Sequence, residues 1–217
     1  VGRKILEPFV PFGTELDLWE NQCYVSLVGF LFLKSKLNGI PIPFHAVFEE
    51  VNVRFYVVRH EDDISKRGVV FIREFVPKPA VTLVPNKIFR EHYESLPMKH
   101  IWLEQNHQQH IAYSWKKKDW NTFTITSNMI SNPLVPGSKE EFFTEHYWGY
   151  TQIGHQKTLE YFVNHHPWET YDTLSYQIDV DFEACYGKPF AFLAKHKPDS
   201  VFLAEGSGMS LEKSKKI

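Results

Sequence analysis

Residues 48–58 read FEEVNVRFYVV, and the reading of the chain starts from how their side chains alternate. In a strand, successive side chains point to opposite faces. Val51, Val53, Phe55 and Val57 then form one apolar face. Glu50, Asn52, Arg54 and Tyr56 form the other, with an acid, an amide and a base in a row. Turned into a cavity, that face is a preformed polar site. Turned to solvent, it is an ordinary ion-paired strand surface, whose pairs contribute roughly 0–1 kcal/mol.

Around this strand lie 217 residues, 43% hydrophobic and 16% aromatic. That is enough chain for one sizeable core, so a single domain over residues 1–206 is expected, followed by a polar, fraying tail at 207–217. The formal net charge of −2 and pI of about 6.6 show no basic stripe, which argues against nucleic acid and anionic membrane as partners. No apolar run reaches the roughly 20 residues of a membrane span. The two cysteines, Cys23 and Cys185, lie far apart, so free thiols in a reducing, cytoplasmic setting are expected.

Strands are expected at 14–19 and 22–33 around a turn at Glu20-Asn21, then in the Glu50 segment, which ends in a charged turn at 60–68, and at 69–75. Further strands are expected at 98–105, 110–116, 120–127, 148–153, 158–165, 171–180 and 200–204. The spacing predicts a short helix at 86–95 and another at 138–147. In the second, Ser138 and Glu141 match a capping box. Asp181 is placed to cap a third helix ending near Gly187. The short connections point to α+β, mostly antiparallel β, with a curved or barrel-like sheet to bury the edges.

Other residues invite a chemical reading. Arg73 in VVFIREF shares its predicted face with Val69, Phe71 and Phe75, where a charge needs an anion or an exit to water. The anion would be Glu50, Glu145 or a ligand carboxylate. Glu145, His146 and Tyr147 close the second helix, where a charged histidine suits the helix dipole and acid plus imidazole suits proton transfer. Packing and capping explain them equally. His165, His166 and Trp168 cluster at a strand end, but adjacent strand histidines face opposite ways and make poor joint metal ligands. No metal-spaced Cys/His set, nucleophile elbow or phosphate loop occurs, so no metal and no cofactor is expected.

The segments EVNVRFYV, GVVFIREF, FREHY, TEHYWGY and VNHHPW, with PFGTELDLW and YVSLVGF ahead of them, stand in the order they hold in the YqjF-like family. The resemblance spans nearly the whole chain. That bacterial family has no known function and is placed in the acetoacetate decarboxylase-like superfamily. The resemblance implies a mostly antiparallel, cone- or barrel-shaped sheet with a few short helices and an internal pocket. In the family an opening strand usually precedes the segment that begins here, so pocket residues it supplies fall outside these candidates.

True acetoacetate decarboxylases use a lysine that forms an imine with a β-keto acid, its pKa lowered by a neighbouring cation. In the resembling segment, NKIFREHYES, Glu94 and Ser95 stand where the lysine pair would be. Imine chemistry is therefore not expected, whereas Glu49 or Glu50 matches the superfamily's pocket glutamate.

The expectation is a site for a small organic acid or related metabolite. Its catalytic candidates are Glu50, His92 and Glu145. Its binding candidates are Glu50, Asn52, Arg54, Arg73, Arg90, His146, Tyr147, His165 and Trp168. The alternative is a non-catalytic binding protein, or a packed barrel that forms homo-oligomers.

Overall fold

The computed structural model describes residues 1–33, 36–37, 40–41, 47–77, 92–211 and 214–217. Among the described residues, three short α-helices, α1 (Arg3–Leu6), α2 (Lys139–Thr144) and α3 (Phe182–Tyr186), accompany the strands. In chain order these are β1 (Glu15–Leu16), β2 (Val25–Leu33), β3 (Lys36–Leu37), β4 (Ile40–Pro41), β5 (Val47–Glu61), β6 (Ile64–Val76), β7 (Tyr93–Ser95) and β8 (Met98–Gln105). They continue as β9 (Gln108–Lys116), β10 (Trp120–Asn132), β11 (Trp148–Gly154), β12 (Lys157–Asn164), β13 (Thr170–Asp179), β14 (Leu203–Ala204), β15 (Ser210–Leu211) and β16 (Lys215–Lys216).

The first sheet runs β1-β5-β6-β11-β12-β15, with β2 on β5, β7 on β6 and β16 on β12. The second runs β14-β13-β10-β9-β8. Pairing is antiparallel except where β11 and β7 each meet β6. The expected barrel is not what forms: among the described residues no pairing joins the end strands of either sheet. The two sheets instead pack face to face. Val51, Val53, Phe55 and Val57 share one core with Ile111, Tyr113, Trp115 and Ile125 of the second sheet. Burying each such aliphatic or aromatic side chain contributes roughly 1.5–3 kcal/mol relative to leaving it exposed. Gly29 marks a close approach, since a Cβ there would lie 2.5 Å from the Phe123 ring and 2.7 Å from that of Tyr113.

Several boundaries differ from the sequence expectation. The charged turn shrinks to Asp62-Asp63, with Asp62 left-handed at φ 53°, because residues 64–68 continue the β5–β6 ladder. Residues 86–91 of the expected NKIFREHYES helix lie outside the described residues, and its end, Tyr93–Ser95, is a strand on β6. Where it is described, the lysine-rich end forms β15 and β16, which both pair with β12. At α3, the Asp181 side chain accepts from the Ala184 amide, and Gly187 at φ 95° ends the helix as expected.

The second face of β5 is covered at one end by α2. Phe142 and Phe143 pack on Tyr56, Tyr24 and Val69 to form a smaller apolar cluster. Ser138 caps α2 through the Glu141 amide. Glu141 returns its carboxylate to the Gly137 amide, one residue earlier than a standard capping box, because the Ser138 amide is taken by Val135. Among the described residues no helix is long and apolar enough to cross a membrane.

Candidate functional site

β5 and β6 pair with Asn52 opposite Glu74, and β7 adds Tyr93 beside Glu74. Residues directly opposite in a ladder point to the same face. Glu50, Asn52, Glu74 and Tyr93 therefore share one patch of the first sheet, on the face away from the main core. Glu50 and Glu74 are each 1% exposed and Asn52 is 0% exposed. The Asn52 amide donates to Glu50 Oε1 at 3.0 Å, and the Tyr93 hydroxyl donates to Glu50 Oε2 at 2.9 Å. Both oxygens of Glu50 are thus fixed in place. The Asn52 carbonyl oxygen is buried and has no hydrogen-bond partner among the described residues. Carboxyl side chains buried this fully need hydrogen-bonding or ionic partners around them.

Further along the same face, Arg54 turns to α2 and donates to the Phe143 carbonyl at 3.1 Å. Tyr56 exchanges a hydrogen bond with Ser26 at 2.6 Å. Arg73 departs from its expected face. The ladder shifts register between Val53 and Arg54, so Arg73 pairs with Val53 while Phe71 pairs with Arg54. Val69 and Phe71 therefore lie on the opposite face from Arg73. The guanidinium sits at the sheet rim, donates to the Cys185 carbonyl at 3.0 Å and meets Glu94 at 3.7 Å. Its anion is Glu94, not Glu50 or Glu145.

His146 is buried against Tyr56 and Phe142, with ring centroids at 4.7 and 5.2 Å. Its Nε2 lies 3.0 Å from Asp17 Oδ2, which also accepts from Arg67 Nε at 2.6 Å. Burial pulls the imidazole pKa down to about 4, against the pull of Asp17 and with the help of Arg67. Burial pushes the Asp17 carboxyl up, but the hydrogen bonds from His146 and Arg67 carry it below its ordinary value. The imidazole is therefore neutral, with its proton on Nε2 for Asp17, and Nδ1 is left as a buried base without a partner among the described residues. This replaces the expected charged histidine at a helix end.

Glu145 and Tyr147 project elsewhere. The Tyr147 hydroxyl donates to Glu145 Oε2, and burial, followed by this carboxylate, pushes its pKa up to about 12. The Tyr147 ring stacks on His165 at 4.5 Å, and His165 stacks on Trp168 at 4.6 Å. Glu145 and Tyr147 border an open surface depression of about 340 Å³, together with Ser65, Arg67, Trp148, Phe162 and Asn164.

Apart from Arg54, Arg73 and His146, the expected residues fall into two groups. Glu50 and Asn52 form the buried patch, while Tyr147, His165 and Trp168 form an aromatic stack with Glu145 at its side. His92 joins neither: its side chain is exposed, and its carbonyl accepts from the Glu74 amide. Arg90 lies outside the described residues. Glu74, Tyr93, Asp17 and Arg67 were not singled out from the sequence. Glu74 sits beside Arg73, but only the register shift shows that it joins Asn52.

The lysines weighed for imine chemistry are engaged elsewhere where they are described. Lys66 is partly desolvated, yet Glu61 and Glu160 hold its ammonium above its ordinary pKa. Lys117 is ion-paired to Glu94 rather than solvated at a hairpin tip, and Lys99 lies over the Trp120 ring at 4.7 Å. Lys87 lies outside the described residues. Cys23 and Cys185 are free and buried.

Residues 1–208 match the family DUF2071, described as "Uncharacterized conserved protein (COG2071)", and the chain belongs to that family. It is 28% identical over 173 residues to "Uncharacterized protein YqjF" of Bacillus subtilis (strain 168), an alignment covering 77% of this chain and 68% of that protein. Among solved structures it is similar to an acetoacetate decarboxylase from Legionella pneumophila, at 10% identity and a TM-score of 0.38 over 78% of this chain and 75% of that one. The family expected from the ordered motifs is the family found.

Proposed function

We propose that this chain binds a small molecule at the Glu50–Asn52–Glu74–Tyr93 patch and does so without imine chemistry. One observation carries the reading: two glutamates and an asparagine, each at most 1% exposed, share one face of the paired strands β5 and β6. A buried acceptor such as Asn52 Oδ1 costs free energy unless something donates to it. That open acceptor favours a ligand that brings a donor, such as an amine or a polyhydroxylated metabolite. Of the two arginines expected to hold an organic acid, Arg73 is engaged with Cys185 and Glu94, and Arg90 lies outside the described residues. Free, buried cysteines support a reducing compartment such as the cytoplasm.

Thermal shift against matched panels of amines, polyols and carboxylic acids tests this. A ligand that binds only the folded chain raises Tm with its concentration over Kd. The expected result is a hit among donor-rich compounds that is lost in Glu50→Gln and kept in Arg73→Ala. Hits confined to carboxylic acids and lost in Arg73→Ala would overturn the acceptor-patch reading and restore an anion site.

A further inference from the structure

β8 is an end strand of the second sheet: β9 pairs with one of its edges, and no described strand pairs with the other. Its sequence, MKHIWLEQ, is largely exposed over eight residues. Natural edge strands are normally short, charged or covered, because an open row of N–H and C=O groups recruits another strand. Here the edge carries Ile101, Trp102 and Leu103, at 46%, 48% and 60% exposure. Such a run needs a partner or a reason to stay open.

The hydrogen-bond parity says which groups are open. The Lys116 amide donates to the Pro97 carbonyl, and β8–β9 pairs Met98 with Trp115 and Gln105 with Gln108. Odd-numbered residues of β8 therefore make the ladder with β9. Met98, His100, Trp102 and Glu104 turn their backbone N–H and C=O outward. The hairpin agrees, since Asn106 and His107 are both left-handed, as a two-residue turn between the bonded pair Gln105 and Gln108 requires.

We propose that β8 pairs with the β8 of a second copy of this chain, antiparallel about a twofold axis at Trp102. A twofold that joins two sheet edges keeps each side chain on its own face, so only residues of equal parity come opposite each other. Centred on Trp102, the two Trp102 backbones bond to each other. His100 comes opposite the second copy's Glu104, and Ile101 comes opposite its Leu103. Ile101 and Leu103 then cover one another on the outer face, beside Ala112 and His110 of β9. On the inner face the acid meets the imidazole. His100 Nδ1 is held by Glu49 at 2.6 Å, which leaves Nε2 on the edge for Glu104. The charge and apolar patterns are thus self-complementary in one register. The product is one continuous ten-stranded sheet across two chains.

Light scattering on the eluting full-length chain, with sedimentation to confirm it, tests the pairing. The expected mass is twice the 25.5 kDa of the chain. Leu103→Lys should give the monomer, because it opposes the second copy's Ile101 with a charge. Glu104→Pro should do the same while keeping the fold, because the lost N–H points away from β9. Circular dichroism and Tm identify a variant that has unfolded. A Trp102→Cys chain should cross-link to itself on oxidation, since bonded antiparallel positions stand about 5.5 Å apart at Cα, within disulfide reach. A wild-type monomer at millimolar concentration, or a dimer that survives both folded variants and is not cross-linked through position 102, overturns the proposal.

Discussion

His146 shows how one side chain ties the N-terminal segment to the helix end. It donates to Asp17, which Arg67 also holds, while Arg54 adds a nearby positive charge. The unfolded chain protonates an imidazole as pH falls through about 6.5, whereas the folded chain resists until about 4. The stability gained by keeping His146 neutral is therefore complete above 6.5 and is lost as pH falls from 6.5 towards 4. Asp17 extends the loss below its ordinary value of 3.8, because its folded pKa is depressed. Urea unfolding across this range should show a decline of up to about 3 kcal/mol, and His146→Phe should flatten it between 6.5 and 4. An equal slope in the variant would assign the acid sensitivity to other groups.

Residue patterns carried much of this scale and failed at identifiable places. The alternation of FEEVNVRFYVV placed Glu50, Asn52, Arg54 and Tyr56 on one face correctly, because β5 is regular. The same logic misplaced Arg73, because a bulge at Ile72 in β6 reverses parity and leaves no mark in GVVFIREF. Glu74 was hidden for the same reason. Asp17 was invisible as a partner of His146, since the two lie 129 positions apart.

At the scale of elements, capping signals translated well and turn lengths did not. Ser138, Asp181 and Gly187 mark helix ends by local chemistry, which the sequence displays. The extent of β6 depends on pairing with a partner 15 residues long, which local composition does not report. Removing the α2 cap with Ser138→Ala should cost about 1 kcal/mol and loosen the lid that Phe142 and Phe143 form over Tyr56. Chemical denaturation gives the cost, and amide exchange at residues 139–144 should rise with it. A cost near zero would mean that the Glu141–Gly137 bond alone holds the helix start.

For the whole molecule, two open sheets packed face to face replace the closed barrel that the resemblance implied. Short connections and few helices announced the antiparallel β architecture. Closure depends on long-range pairing of end strands, which alternation patterns cannot specify. The packing has a tight point at Gly29, where any side chain would strike Phe123 and Tyr113. Gly29→Ala should destabilise the chain by roughly 1–3 kcal/mol, as overpacking does. A neutral substitution would show that the sheets can slide apart without penalty.

The central claim is that the patch of Glu50, Asn52, Glu74 and Tyr93 receives a ligand. Its most direct test is a crystal structure of the chain with the best donor-rich compound from the thermal panel. The account predicts density on that face of β5, with a ligand donor at hydrogen-bond distance from Asn52 Oδ1 and the glutamates beside it. Density instead in the open depression by Glu145 and Tyr147, with the Asn52 oxygen still sealed from the ligand, would contradict it.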